Sequence, residues 1–168
     1  AERDGVDAVV INCMGDPGLH PSREAVTIPV VGPCEATMHL ASMLGHTFSV
    51  VTVMETLRPQ FENQAKVYGV REKLASVRAV EIPVLELERD WDRMIAEMTE
   101  QAVRAVEDDG ASVIMFGCTG MAGAAEAVEA GLVARGYDGV PVIDSMAAAI
   151  KVAEAIVGVA AARTRAGG

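Results

Sequence analysis

The feature that most limits what this chain can fold into is an alternation. Short β-branched runs at 8–12, 29–32, 48–53, 77–82, 112–117 and 140–143 are separated by stretches of helical character at 35–44, 56–68, 91–108, 120–135 and 145–162. Most of the β-branched runs are continuously apolar, which suits strands covered on both faces. Helices between such strands imply parallel sheets reached by crossover connections, so the expected class is α/β with helices flanking parallel sheets. The helix from Trp91 shows its period plainly, with Trp91, Ile95, Met98, Ala102 and Val106 on one face. Gly110 is its stop signal. Of the 168 residues 51 % are hydrophobic, enough to fill a core of this kind.

A repeat adds a second constraint. The segments VVINCMGDPGL at 9–19 and VIMFGCTGMAG at 113–123 each run from a strand into a turn with a cysteine at the strand's end. Cys13 and Cys118 lie 105 residues apart. The pattern predicts two similar lobes, each presenting one thiol at the carboxyl end of a strand, where open parallel sheets bind ligands. The first lobe would then hold only the strands at 8–12 and 29–32, and the chain opens on what reads as the tail of a helix. The expectation is that one or two further strands belong before residue 1.

Within Gly117-Cys118-Thr119-Gly120 the glycines permit a sharp turn and close approach to a ligand. A helix starting just after would offer free N–H groups and favour thiolate over thiol. The competing reading is a buried structural cysteine, yet such a residue belongs inside a strand rather than in a glycine-flanked turn. Cys13 sits in a matching place, before the turn Asp16-Pro17-Gly18. Cys34 opens the helix at 35–44 without flanking glycines and reads as a packed thiol. Thr52 ends a strand, so its hydroxyl is equally a ligand contact or a strand-forming choice. Thr119 offers hydroxyl and amide, or a helix cap. His20, His39 and His46 have no metal-ligand spacing with the cysteines or each other, and no metal site is expected.

Charge removes other classes. Fourteen Lys and Arg against 24 Asp and Glu give a net charge of −10, which argues against nucleic acid and against anionic membranes. No apolar run approaches the roughly 20 residues of a membrane span. Three cysteines are too few for a disulfide scaffold, so a reducing, cytoplasmic setting is expected. The expected partner is a small molecule.

Two opposed thiols suit one kind of chemistry. Inverting a carbon centre takes a proton from one face and returns one to the other, so one group must be ionised and its partner protonated. Thiols, with a reference pKa of about 8.5, can play both parts. Hydrogen-bond donors stabilise the enolate between the two steps, and no metal, flavin or pyridoxal cofactor is required.

At this point the residues resemble a known family. Cys13-Met14-Gly15-Asp16-Pro17-Gly18-Leu19, Ile28-Pro29-Val30-Val31-Gly32 and the stretch from Leu44 to Thr52 are similar to the hydantoin racemase branch of the aspartate/glutamate racemase superfamily. Phe116-Gly117-Cys118-Thr119-Gly120-Met121-Ala122 resembles its second cysteine motif. The resemblance implies a cofactor-independent racemase with two α/β lobes and the active site between them, in a protein that forms homo-oligomers. It implies one lobe from 1–46 plus 145–168 and another from 47–144. The family's opening strand and Asn-Pro-Asn-like motif have no counterpart here. Under this reading Cys13 and Cys118 are the acid/base pair acting on C5 of a 5-substituted hydantoin or allantoin. The amides of Met14, Gly15, Thr119 and Gly120 hold the ring carbonyls. Amino-acid racemase, maleate isomerase (one cysteine as nucleophile) and a non-catalytic binding module are the alternatives; an arylmalonate decarboxylase needs only one thiol, and Cys13 counts against it.

Overall fold

A computed structural model describes residues 1–87 and 89–166. Its centre is a four-stranded parallel sheet in the order β4-β3-β5-β6. These strands are β3 (Phe48–Thr52), β4 (Leu74–Ala79), β5 (Val113–Phe116) and β6 (Val142–Ile143). The two middle strands, β3 and β5, are buried at every residue, as their continuous apolar runs predict. Their side chains alternate between two cores. Val51, Ile114 and Phe116 pack with Met94, Met98, Val128 and Leu132 on one face. Phe48, Val50, Val113 and Met115 pack with Met38, Phe61 and Ala65 on the other. The first face is covered by α4 (Trp91–Glu107) and α5 (Ala125–Val133), the second by α2 (Pro33–Leu44) and α3 (Arg58–Val67).

A separate parallel pair, β1 (Val9–Val10) and β2 (Val30–Val31), lies beyond α2. It is tied to the rest by α6 (Ser145–Ala166), which packs on α2 and on both short strands. Val31, Ala36, Ala149 and Ala153 form this third core, where small residues let the helices approach closely. Thus α2 serves two layers, with Met38 and Ala41 toward the large sheet and Ala36 toward α6.

Four departures from the sequence reading have physical reasons. The strand expected at 77–82 runs over Leu74–Ala79 instead. It is the edge of the sheet, and its partly buried positions carry Ser76 and Arg78, which break the apolar run. Ser76 pairs with Ser49 at 2.8 Å, and Arg78 bridges to Asp109 at 2.6 Å. The helix expected from 120 is replaced by a 3₁₀ turn at Thr119–Met121, and α5 begins only at Ala125. Gly123, at φ 86°, breaks the path. An unexpected helix, α1 (Leu19–Ala25), follows the Cys13 loop. Its Pro21 falls in the first turn, where a missing N–H leaves no helical bond unmade. The helix expected at 56–68 opens with a 3₁₀ turn at Glu55–Leu57 before α3.

Candidate active site

The two repeated motifs meet at one cleft of about 260 Å³. Cys13, Met14 and Gly15 approach from the end of β1, while Gly117, Cys118 and Thr119 approach from the end of β5. Val53, Leu57 and Val84 add apolar wall, and Gln60 adds an amide. Val53 directly follows β3, so three strand ends converge here. A larger groove of about 320 Å³ lies along α2 and α6, lined by His39 and Met43 among others. It contains neither Cys13 nor Cys118, and we assign the site by the paired thiols rather than by volume.

Each thiol is met by the amide of the glycine two residues on. Gly15 N–H donates to Cys13 Sγ at 3.4 Å, and the Gly120 amide lies close enough to the Cys118 sulfur to favour its thiolate. In both cases a Cβ added at the glycine would stand in ordinary contact with that sulfur, 3.5 Å from Cys13 Sγ and 3.6 Å from Cys118 Sγ. All three cysteines are free thiols.

Their surroundings differ. Cys13 is exposed, whereas Cys118 is half-buried against the core under α4 and α5. Burial pushes the Cys118 thiol up; the Gly120 amide pulls the other way, and the charge of the nearby Cys13 raises it further. The expected depression by a helix start is therefore not found at Cys118, because a 3₁₀ turn stands where that helix was expected. Cys34 is fully buried near the start of α2, and burial drives its thiol well above the ordinary range.

The loop from Cys13 to Gly18 is fixed by Asp16, which the sequence showed only as a turn residue. Asp16 has φ 46° and is 7 % exposed. Its carboxylate accepts the N–H groups of Cys34 at 3.0 Å and Glu35 at 2.9 Å, capping α2 from another segment of the chain. Tyr68 Oη–H donates to the same carboxylate at 2.7 Å. Gly32 makes the approach possible, since a Cβ there would stand 2.6 Å from Asp16 Cγ. Burial raises the Asp16 carboxyl above its ordinary value, against the three hydrogen bonds it accepts.

The other predicted residues divide. Thr119 lines the cleft; Met14 lines it too, with its side chain buried in the core. Gly120 lies beside it, along Val84, Leu85 and Leu87. Thr52 does not reach the cleft. It is fully buried, and its hydroxyl donates to the Gly117 carbonyl at 3.4 Å. The end of a strand does not decide where a side chain points, and Val53, one residue on, takes the ligand-facing place. Val53, Leu57, Gln60 and Val84 were missed by sequence reasoning, as were Gln64 and Tyr68. The spacing of Gln60, Gln64 and Tyr68 by four was the available signal. His20, His39 and His46 are exposed. Among the described residues no group of three or more His, Cys, Asp or Glu could hold a metal ion, and no helix is long and apolar enough to cross a membrane.

Comparison with known proteins shows the family and the fold. The sequence profile described as Asp/Glu/Hydantoin racemase matches residues 1–153. A hydantoin racemase of Pseudomonas sp. (strain NS671) is 44 % identical over 156 residues, covering 93 % of this chain and 60 % of that protein. A hydantoin racemase of Rhizobium meliloti is 39 % identical, over 94 % of this chain and 63 % of that one. Among solved structures, an allantoin racemase from Klebsiella pneumoniae superposes with a TM-score of 0.86 at 35 % identity, over 95 % of this chain and 62 % of the other. The chain thus spans roughly three-fifths of the length of these relatives.

Proposed function

The chain belongs to the Asp/Glu/Hydantoin racemase family, and from that premise we propose that the protein inverts C5 of 5-substituted hydantoins or of allantoin by a two-thiol mechanism. The observation that carries this reading is the convergence of Cys13 and Cys118 on one cleft from two different sheets, each thiol backed by a glycine amide. One cysteine, as thiolate, takes the C5 proton and becomes a thiol. The electron pair moves onto the adjacent carbonyl as an enolate. The other cysteine, as thiol, returns a proton to the opposite face and is left as thiolate. The amides of Met14, Gly15, Thr119 and Gly120 are the donors for the ring oxygens. C5–H is already acidified by its carbonyl, so the reaction asks for no cofactor.

In this reading the lobes are 1–46 plus 145–168 and 47–144, with α6 crossing back to the first. The four-stranded sheet lying within 48–143, and the packing of α6 on α2, β1 and β2, support that division. The protein works as a homo-oligomer in the cytoplasm, where the thiols stay reduced.

The test uses the full-length protein in D₂O with separate L- and D-5-substituted hydantoins and allantoin, following C5–H exchange by NMR beside optical rotation. Exchange with loss of rotation is expected. Cys13→Ser and Cys118→Ser should each lower racemisation by about 10²–10⁴-fold, the usual contribution of a positioned acid or base. Full racemisation in either variant would overturn the two-thiol mechanism. Saturable binding without exchange would identify a binding module instead.

A further inference from the structure

We propose that Gln64 and Tyr68, acting with Asp16, are positioning residues that aim Cys13, and that Cys118 is placed without them. Gln60, Gln64 and Tyr68 are spaced by four along α3 and its C-cap, so they form one stripe. That stripe runs along the Cys13 loop. Gln60 Nε2 lies 3.3 Å from where a Gly15 Cβ would stand. Gln64 Nε2 donates to the Met14 carbonyl at 3.0 Å. Tyr68 Oη donates to Asp16 Oδ2 at 2.7 Å. Asp16 closes the loop on itself, its N–H donating to the Cys13 carbonyl at 3.0 Å. Cys13 therefore leaves a two-residue strand into a loop whose direction is set by side chains from another helix.

Cys118 is reached differently. Gly117 N–H donates to the Val51 carbonyl at 2.7 Å, a direct continuation of the β3–β5 ladder. Met121 N–H closes the turn on the Cys118 carbonyl at 3.1 Å. On the far side of that turn, Asp144 accepts the Gly123 N–H at 2.6 Å. None of these bonds involves α3.

Gln64 supplies an observation that separates positioning from mere stability. Among the described residues its buried Oε1 has no hydrogen-bond partner. A buried acceptor left unsatisfied costs stability and offsets the hydrogen bond that the amide makes to Met14, so an apolar side chain of similar length would fold nearly as well. What a glutamine adds at this position is its amide, and that amide reaches the backbone between Cys13 and Gly15.

The experiment measures the two thiols separately and requires no substrate. Gln64→Met and Tyr68→Phe are alkylated with iodoacetamide from about pH 6 to 9, the range bracketing thiol ionisation, and modification at Cys13 and Cys118 is read by peptide mass spectrometry. Each variant should change the Cys13 rate and displace its pH profile, by roughly 2–10-fold in rate for one ordinary hydrogen bond. The Cys118 profile should superimpose on the parent's. Gln64→Met should also unfold at nearly the parent's temperature. Equal changes at both thiols, or none at Cys13, would overturn the proposal. Should Tyr68→Phe open buried Cys34 to the reagent, Gln64→Met decides, because among the described residues the Gln64 side chain bonds to Met14 and not to the Asp16–Cys34 cap. The consequence for turnover rests on the racemase reading: kcat should fall with KM nearly constant. If alkylation responds and turnover is absent, the racemase reading fails while the positioning role stands.

Discussion

Cys13 and Cys118 leave their strands alike and are held in place by different means. In each loop a glycine two residues on turns its amide toward the sulfur. Beyond that the likeness ends. Cys118 follows a fully buried strand at the centre of a four-stranded sheet, and its turn is fixed by backbone hydrogen bonds of the sheet and the turn, with the Thr52, Asp144 and Ser145 side chains tying its flanks. Cys13 follows a half-buried strand of two residues, and its loop hangs on Asp16, Gln64 and Tyr68. The same local chemistry can thus be built on a rigid ladder or on a set of side-chain ties. The second construction leaves its thiol exposed, and the first leaves it half-buried. A racemase needs its two groups in opposite protonation states in each direction, so unequal surroundings are compatible with that chemistry.

The sharpest way to break this comparison is to add one methyl group to each loop. At Gly117 an added Cβ would stand 2.7 Å from Thr52 Cβ and 2.9 Å from Val50 Cγ1, both packed inside the sheet. Neither neighbour can yield, so Gly117→Ala should lose about 1–3 kcal/mol in urea unfolding, the usual penalty for overpacking. At Gly15 the nearest atom is Gln60 Nε2 at 3.3 Å, the free end of an exposed side chain. Gly15→Ala should stay within about 0.5 kcal/mol of the parent. Equal losses would mean that the two loops are equally rigid.

The same contrast explains what could be read in the sequence. Strands β3 and β5 were legible because both faces are covered and every residue is buried, with only Ser49 and Thr52 of β3 polar. The edge strand β4 was displaced by three residues because Ser76 and Arg78 serve polar partners, Ser49 on the neighbouring strand and Asp109 at the sheet edge. The cysteines and their glycines were legible because a strand end, a turn and a thiol are adjacent in the chain. Asp16 looked like a turn residue, since its role as a cap on α2 depends on contacts 18 and 19 residues away. Thr52 looked available because its position at a strand end is local, while its burial under Gly117 is tertiary. The α3 stripe could be read only as a shared helix face from its spacing of four, since nothing local says that a glutamine reaches a loop 50 residues earlier. Residues that act through neighbours in sequence could be found, and those that act across the fold could not.

A second, smaller test orders the thiols by reactivity at neutral pH. Only the thiolate reacts with an alkylating reagent. Burial raises the Cys118 thiol, so less of it is ionised at a given pH than of an ordinary cysteine. Cys13 should therefore be modified first and Cys118 after it, with a pH profile lying to the alkaline side of a free thiol. Cys34, fully buried and raised well above the ordinary range, should react only on unfolding. Faster modification of Cys118 than of Cys13 would reverse the assignment of which loop is open.

The smallest effect expected distinguishes the two halves by the sign of a slope. Asp109 is held by Arg78 at the sheet edge, and that hydrogen bond lowers its carboxyl below the ordinary aspartate value. The unfolded chain then binds more protons than the native one in this range, so this group's stabilisation is present above the ordinary value and is lost as pH falls. Asp16 behaves oppositely. Burial raises its carboxyl, so the native state holds the proton more tightly. Its contribution is present below the ordinary value and is lost as pH rises through the raised one. Urea unfolding between about pH 3 and pH 7, a span enclosing carboxylate titration, should show stability rising less steeply with pH in Asp109→Asn and more steeply in Asp16→Asn. The Asp109 change should be only about 0.2–1 kcal/mol, because the pair is partly solvated, with side chains 19 % and 22 % exposed. If both variants shift the slope in the same direction, the Cys13 loop is not anchored by a desolvated carboxylate, and its contrast with the sheet-held Cys118 loop loses its physical basis.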